Sequence, residues 1–295
     1  MLGKLIKHDF KSLSKVLFPT QIAIVGATII ATLGFAFNFR SGYIQAETFG
    51  FMNLIRLLTG FLSVMMLIAI IAASILVAFI IFQRFYKNLM CDEGYLTFTL
   101  PVTTSEILWS KLITATLWTI ISSVVIVVCL NIFMLFGTAE SGFLNLEVYR
   151  EIGKALHAVN ETIGARVIWP ILEFALLMLV GTVNSIFQVY LALIIGSVVS
   201  QKHKILASIG FYFVISFGVS MLSTIAQFFL SGQIAGTMMS FESNSFSGKS
   251  VLEAYNMVVG AMQPYYWFYL VFTVALTAGF FVLSHYLLKN KLNLE

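Results

Sequence analysis

Apolar residues along this chain do not alternate with polar ones; they run in long blocks separated by short polar clusters, the pattern of membrane-spanning helices rather than of half-buried strands. The blocks cover residues 16–37, 59–82, 108–136, 167–200, 205–230 and 264–288. A helix crossing ~30 Å of hydrocarbon at ~1.5 Å per residue needs roughly 20 apolar residues. The pattern therefore predicts an all-α polytopic membrane protein with six transmembrane helices in a single domain over residues 1–295. The third and fourth blocks exceed the minimum and leave room for tilt. Pro19, Pro170 and Pro264 each fall in the first turn of a predicted span, where a missing N–H costs nothing, and Pro101 falls in a connector.

Shorter amphipathic stretches flank the spans. In residues 1–15, Leu2, Leu5, Ile6, Phe10 and Leu13 recur at helical spacing while Lys4, Lys7, Lys11 and Lys15 share the opposite face, which predicts an in-plane helix on one leaflet. Asp9 falls amid the apolar stripe; a buried partner and a snorkelling carboxylate both account for it. Residues 138–166 and 231–263 form the two longer loops. In the first, Leu146, Tyr149, Ile152, Leu156 and Val159 lie about one turn apart, and residues 251–262 carry a similar pattern. Both predict short helices lying against the bundle, with the polar stretch 241–249 between the spans as a loose loop.

Composition agrees with this picture. Fully 59% of the 295 residues are hydrophobic and 10% charged, with a mean hydropathy of +0.95; a soluble domain is about a quarter charged. The net charge of +4 gathers at the ends of the apolar blocks and forms no stripe for nucleic acid. Lys4, Lys7, Lys11, Lys15, Arg84, Lys87, Lys111, Lys202, Lys204, Lys289 and Lys291 fall on one side, against Arg40, Arg56, Arg150, Lys154, Arg166 and Lys249 on the other. The positive-inside rule then predicts cytoplasmic termini, and Trp169, Tyr265, Tyr266, Trp267 and Tyr269 suit the outer headgroup zone. Cys91 and Cys129 have neither disulfide-framework nor metal-type spacing. The first block is too long for a signal-peptide h-region and lacks an A-x-A site, so it is expected to be retained.

The segment 84–107 between the second and third spans is the most informative. Residues 86–94, Tyr86-Lys87-Asn88-Leu89-Met90-Cys91-Asp92-Glu93-Gly94, predict a short helix ended by a left-handed Gly94, followed by extended residues to Pro101. Thr103 and Glu106 have the spacing of a capping box that starts the next helix. The product is a stiff elbow bearing two adjacent acids and several aromatic rings.

Three stretches, Gly3-Lys4-Leu5-Ile6-Lys7-His8-Asp9-Phe10-Lys11, Asp92-Glu93-Gly94-Tyr95-Leu96-Thr97-Phe98-Thr99-Leu100-Pro101-Val102 and Ile107-Leu108-Trp109-Ser110-Lys111, carry a resemblance. With the six-span layout, the chain resembles the permease subunits of ABC-2-type ATP-binding-cassette exporters of Gram-positive bacteria. The motifs cover about the first third of the chain, and the layout nearly all of it. The resemblance implies a homo- or heterodimeric permease in the bacterial cell membrane, driven by separate ATPase subunits that hold ATP and Mg, with no cofactor on this chain. It also implies an elbow helix with Lys4, Lys7, Asp9, Phe10 and Lys11. It further implies a coupling helix docking on the ATPase through Tyr86, Lys87, Asp92, Glu93, Gly94, Tyr95, Leu100 and Pro101, with Lys202 and His203 as a second contact. Acids on such a connector would pair with basic groups of a partner and set register.

Other chemistry finds little support. Gly248-Lys249-Ser250 mimics the end of a phosphate-binding loop, but glycine is required where Ser243 stands. Intramembrane proteolysis needs paired intramembrane aspartates or H-E-x-x-H; Asp9 and Asp92 lie outside the blocks and His8, His157, His203 and His285 are isolated. The expectation is a non-enzymatic permease. Glu173 is the acid well inside a block; a mid-bilayer charge costs ~2.5–3.5 kcal/mol on insertion scales, so it should face protein or water. A role in the translocation pathway, with Asn184, Gln188 and Gln227, stands beside a structural pairing with Arg166 or Arg56. Ala23, Ala27 and Ala31 recur every four residues and predict a helix-packing face, within the chain or between two permeases. The rival reading is an ion- or proton-coupled secondary transporter, which needs more intramembrane ionisable groups and broken spans.

Overall fold

A computed structural model describes residues 2–42, 51–91, 94, 99, 101–137, 147–200, 202–243 and 251–290. The described chain is helical, with no strand among the described residues: α1 (Leu2–Gly42), α2 (Phe51–Met90), α3 (Thr104–Gly137), α4 (Glu147–Ile163), a 3₁₀ turn (Gly164–Val167), α5 (Ile168–Val199), α6 (Lys204–Ser243) and α7 (Val251–Asn290). Six helices are long and apolar enough to cross a membrane. This is a multi-pass membrane protein, as the block pattern predicted.

The helices outlast the apolar blocks, because hydropathy marks where the bilayer is while backbone hydrogen bonding continues into polar turns until something breaks it. Residues 2–15 are continuous with the first span in α1, with no break to set off an in-plane element. Residues 86–90 continue α2 without a break and Gly94 is helical, while Asp92 and Glu93 of the helix predicted over 86–94 lie outside the described residues. Residues 251–262 are likewise the first turns of α7. The polar loop predicted over 241–249 is helical up to Ser243, and its remainder lies outside the described residues. Pro19 and Pro264 therefore sit inside helices rather than in first turns; each removes one i to i−4 hydrogen bond, a local loss that long helices accommodate by bending. Pro170 does stand in the first turn of α5.

The chain packs as two compact units: Met1–Arg84 with Ile113–Lys154, and Phe85–Leu112 with Ala155–Glu295. In the first, α1 meets α3 where Gln21 Nε2 donates to Ser122 Oγ at 2.6 Å and Phe10 stacks on Trp118 with centroids 5.1 Å apart. Arg84 donates to Ser12 Oγ, tying α2 to α1. Ala31 and Ile70 form a small buried cluster with Ile126 and Phe133 against it. Ala23 and Ala27 open onto an apolar crevice of ≈ 340 Å³, facing Ala69, Ala72 and Ala73 of α2. Of the three alanines Ala31 is packed, on Ile70 of α2, while Ala23 and Ala27 stay exposed along the crevice.

In the second unit α5 is the central helix, packed against both α6 and α7, which touch each other little. Its residues 186–197 carry the core: Ile186, Phe187, Tyr190, Leu191, Ala192, Ile194, Gly196 and Ser197 are buried. Residues 168–179 of the same helix are largely exposed. The helix predicted in the 138–166 loop exists as α4, but Ile152 and Leu156 on its apolar face are exposed rather than laid against the bundle.

Candidate functional site

The densest part of the second unit gathers around the connector Phe85–Leu112. Phe85 and Leu89 at the end of α2 and Ile107, Leu108 and Leu112 at the start of α3 are at most 2% exposed. Phe85 stacks on Tyr190 of α5 with centroids 3.7 Å apart and planes within 11°, and the Tyr190 hydroxyl donates to the Lys111 carbonyl at 3.3 Å. Ser197 Oγ lies 3.0 Å from Met90 Sδ. Lys204 Nζ donates to the Met90 carbonyl at 3.4 Å, a cation on one of the unsatisfied carbonyls at the C-terminal end of α2. The end of α7 joins through His285, whose Nδ1 is 3.1 Å from Thr104 Oγ1 and 3.3 Å from Ser105 Oγ. One cluster therefore ties together the ends of α2, α5 and α7 and the starts of α3 and α6.

Local chemistry explains the turns that build it. The predicted capping box is present: the Thr103 N–H donates to Glu106 Oε2 at 3.0 Å and the Glu106 N–H to Thr103 Oγ1 at 3.3 Å, so α3 begins at Thr104. Gly94 is needed for another reason than expected. It is itself helical; its N–H donates to the Cys91 carbonyl at 2.7 Å, and a Cβ there would come within 2.5 Å of the Leu89 carbonyl oxygen. The turn between α5 and α6 is also tight. Ser200 leaves the helix in extended conformation, its Oγ accepts from the His203 N–H at 3.2 Å, and a Cβ at Gly196 would lie 2.5 Å from Ser208 Cα and N. Ala192, Gly196 and Ser200 repeat every four residues, the small-residue spacing that allows close helix approach.

Of the residues implied at a coupling surface, Lys87, Pro101, Lys202 and His203 are exposed, Tyr86 is half-buried and Gly94 is buried. Asp92, Glu93, Tyr95 and Leu100 lie outside the described residues. At the N-terminus Lys4, Lys7 and Lys11 are exposed on one face, Phe10 is half-buried, and Asp9 is 6% exposed and not without a partner, so its carboxylate does not snorkel.

The four polar residues considered for a pathway separate. Glu173 takes a neutral partner, Gln263 Nε2 of α7 at 3.4 Å, while the Arg166 carbonyl accepts from Tyr255. Asn184 Oδ1 accepts from Thr277 of α7 at 3.2 Å, and Gln188 Nε2 donates to Ser216 of α6 at 2.6 Å. At 100° per residue Glu173, Asn184 and Gln188 share one side of α5, a polar stripe turned toward its two helix neighbours. Gln227 is exposed on α6 and does not join them.

Sequence reasoning missed Tyr190 and the gathering of Phe85, Lys204 and His285 with it into one cluster, although it had noted Lys204, His285 and the aromatic rings of the connector separately. Nothing local distinguishes a Tyr or Phe in a core from one facing lipid; the Ala192, Gly196, Ser200 spacing was the usable signal for this end of α5. Among the described residues no group of His, Cys, Asp and Glu is placed to hold a metal. No family model matches the chain, and no match to it is found among the curated proteins or the solved structures.

Proposed function

We propose that the chain is the membrane-spanning permease subunit of an ABC-2-type ATP-binding-cassette exporter, working as a dimer with separate ATPase subunits. The observation that carries this reading is the packed cluster at Phe85–Leu112, where five helix ends meet. Work delivered to one surface connector in such an arrangement moves several spans together, which is what a permease without its own nucleotide site requires. The Lys and Arg asymmetry supports a cytoplasmic location for this end. The exposed Lys87, Lys202 and His203, with Asp92 and Glu93, supply polar groups for an ATPase cleft, beside the exposed Pro101.

In this account ATP and Mg act on the ATPase pair, whose closure pushes the connector. The α5 stripe of Glu173, Asn184 and Gln188 is bonded to α6 and α7, so a shift of those helices exchanges hydrogen bonds and exposes polar groups to an amphipathic or lipophilic cargo moving outward. Because the three bonds are side chain to side chain, their exchange costs little, averaging ~0.6 kcal/mol each in membrane helices.

The test is capture in the native host of the protein that touches a photocrosslinking residue at Lys87 or Lys202. The expected product, identified by mass spectrometry, is an ATPase bearing G-x-x-x-x-G-K-[ST], and Glu93→Lys abolishes its capture. Transport at full rate by the purified chain alone in vesicles would overturn the proposal. A second reading, an ion- or proton-coupled transporter, is favoured by Asp9 and Lys111, which are buried within long apolar helices at 6% and 8% exposure; it predicts flux that collapses with the proton gradient and ignores ATPase.

A further inference from the structure

Helix α4 (Glu147–Ile163) differs in kind from the six long helices. At 100° per residue Tyr149, Ile152, Leu156, Val159 and Ile163 fall on one arc, while Arg150, Lys154, His157 and Glu161 fall opposite. The polar side is internally matched in sign: His157 Nδ1 stands 3.4 Å from Glu161 Oε1, both side chains well exposed. The apolar side is held at its ends and open between them: at the first, the Tyr149 hydroxyl donates to Asn131 Oδ1 of α3 at 3.0 Å. Ile163 is 8% exposed, whereas Ile152 and Leu156 are 49% and 61% exposed.

The chain then bends. Gly164 has φ +61°, a left-handed conformation that ends the right-handed path of α4, and the 3₁₀ turn Gly164–Val167 leads into the membrane-spanning α5. The first residues of α5, Ile168, Trp169 and Ile171, are themselves 55–60% exposed, and a tryptophan at the mouth of a span sits at headgroup level. The exposed apolar arc of α4 is thus continuous, through a bend of four residues, with a surface that meets lipid at the edge of the bilayer.

We propose that α4 is an in-plane interfacial helix, with the arc centred on Ile152 and Leu156 inserted among the acyl-chain ends and its charged side in the headgroup layer. Its partner is the bilayer surface. Cations and acids are both present on the charged side, so zwitterionic headgroups satisfy it and an excess of anionic lipid is not required. A helix held this way fixes the mouth of α5 at a set depth, and Gly164 is the joint that lets the two helices take different directions. The inference holds whether or not an ATPase drives the protein.

The test uses the full chain, with Cys91→Ser, purified and reconstituted alone in phosphatidylcholine vesicles. Spin labels are placed one at a time at Ile152→Cys, Lys154→Cys, Leu156→Cys and His157→Cys, and collision rates are measured with oxygen, which concentrates in lipid, and with a water-soluble nickel chelate. Cys129, at 0% exposure, is checked by labelling the parent. The expected result is a several-fold higher oxygen-to-nickel ratio at 152 and 156 than at 154 and 157. Equal nickel access at all four positions, or low access to both reagents at 152 and 156 from burial against a second copy or other protein, would overturn the proposal. Because Lys154 and His157 are exposed surface positions, their labelled variants report folding independently of the apolar pair.

Discussion

The two halves of α5 have the same hydropathy and opposite environments. In residues 186–197, Phe187 and Tyr190 are 1% exposed and Ile194 0%; in residues 168–179, Ile171, Leu172 and Phe174 are exposed by half or more. Lipid tails are as apolar as leucine, so no hydrophobic term distinguishes these halves in a bilayer. The difference lies in steric fit: Gly196 admits the backbone of α6, and Tyr190 meets a flat partner in Phe85. One end of the helix is packed on its partners, and the other leaves most of its apolar surface uncovered.

Substitutions matched across the two halves break or sharpen this contrast. The largest effect is expected at glycine. Gly196→Leu forces a side chain into Ser208 of α6, whereas Gly181→Leu meets nothing within 4 Å; the first should abolish monodisperse protein in detergent size exclusion and the second leave it unchanged, overpacking costing about 1–3 kcal/mol or more. Next comes Phe187→Ala against Phe174→Ala, at 1% and 52% exposure. Thermal unfolding in nanodiscs should register a loss for Phe187→Ala, about 3–5 kcal/mol on the scale of buried aromatic deletions, and little for its counterpart.

Removing the cap with Glu106→Ala should cost roughly 0.5–2 kcal/mol and loosen only the start of α3, visible as faster amide exchange over its first turn. The smallest effect is expected for Tyr190→Phe, which keeps the stack on Phe85 and loses one bond to the Lys111 carbonyl, about 0.6 kcal/mol. A Tyr190→Phe loss as large as that of Phe187→Ala would show that the hydroxyl, not the fit of the rings, holds this end of the helix.

What was legible in the sequence was what local chemistry or bilayer thickness dictates. Six spans follow from the lengths of the apolar blocks, and the Thr103–Glu106 box from a three-residue spacing. Helix ends were not legible, because Pro19 and Pro264 look like boundaries and yet sit within helices that continue past them. Gly94 was singled out for a left-handed φ and proves necessary for its approach to the Leu89 carbonyl. The pairing of Glu173 with Gln263 rather than with Arg166 depends on how α5 and α7 pack, 90 residues apart in the chain. Asp9 marks the limit: its place in an apolar stripe was visible, but the choice between burial and snorkelling was settled only by the packing.

On the proposed reading, the connector end transmits work from an ATPase while the far half of α5 responds. The direct measurement is double electron–electron resonance on the assembled complex, with one label pair at the exposed Leu172 and Val271 and a second at the exposed Val199 and Leu283. Trapping the ATPase with ATP and vanadate should change the Leu172–Val271 distance and leave Val199–Leu283 fixed. An unchanged first distance, or an equal change in both, would contradict the account.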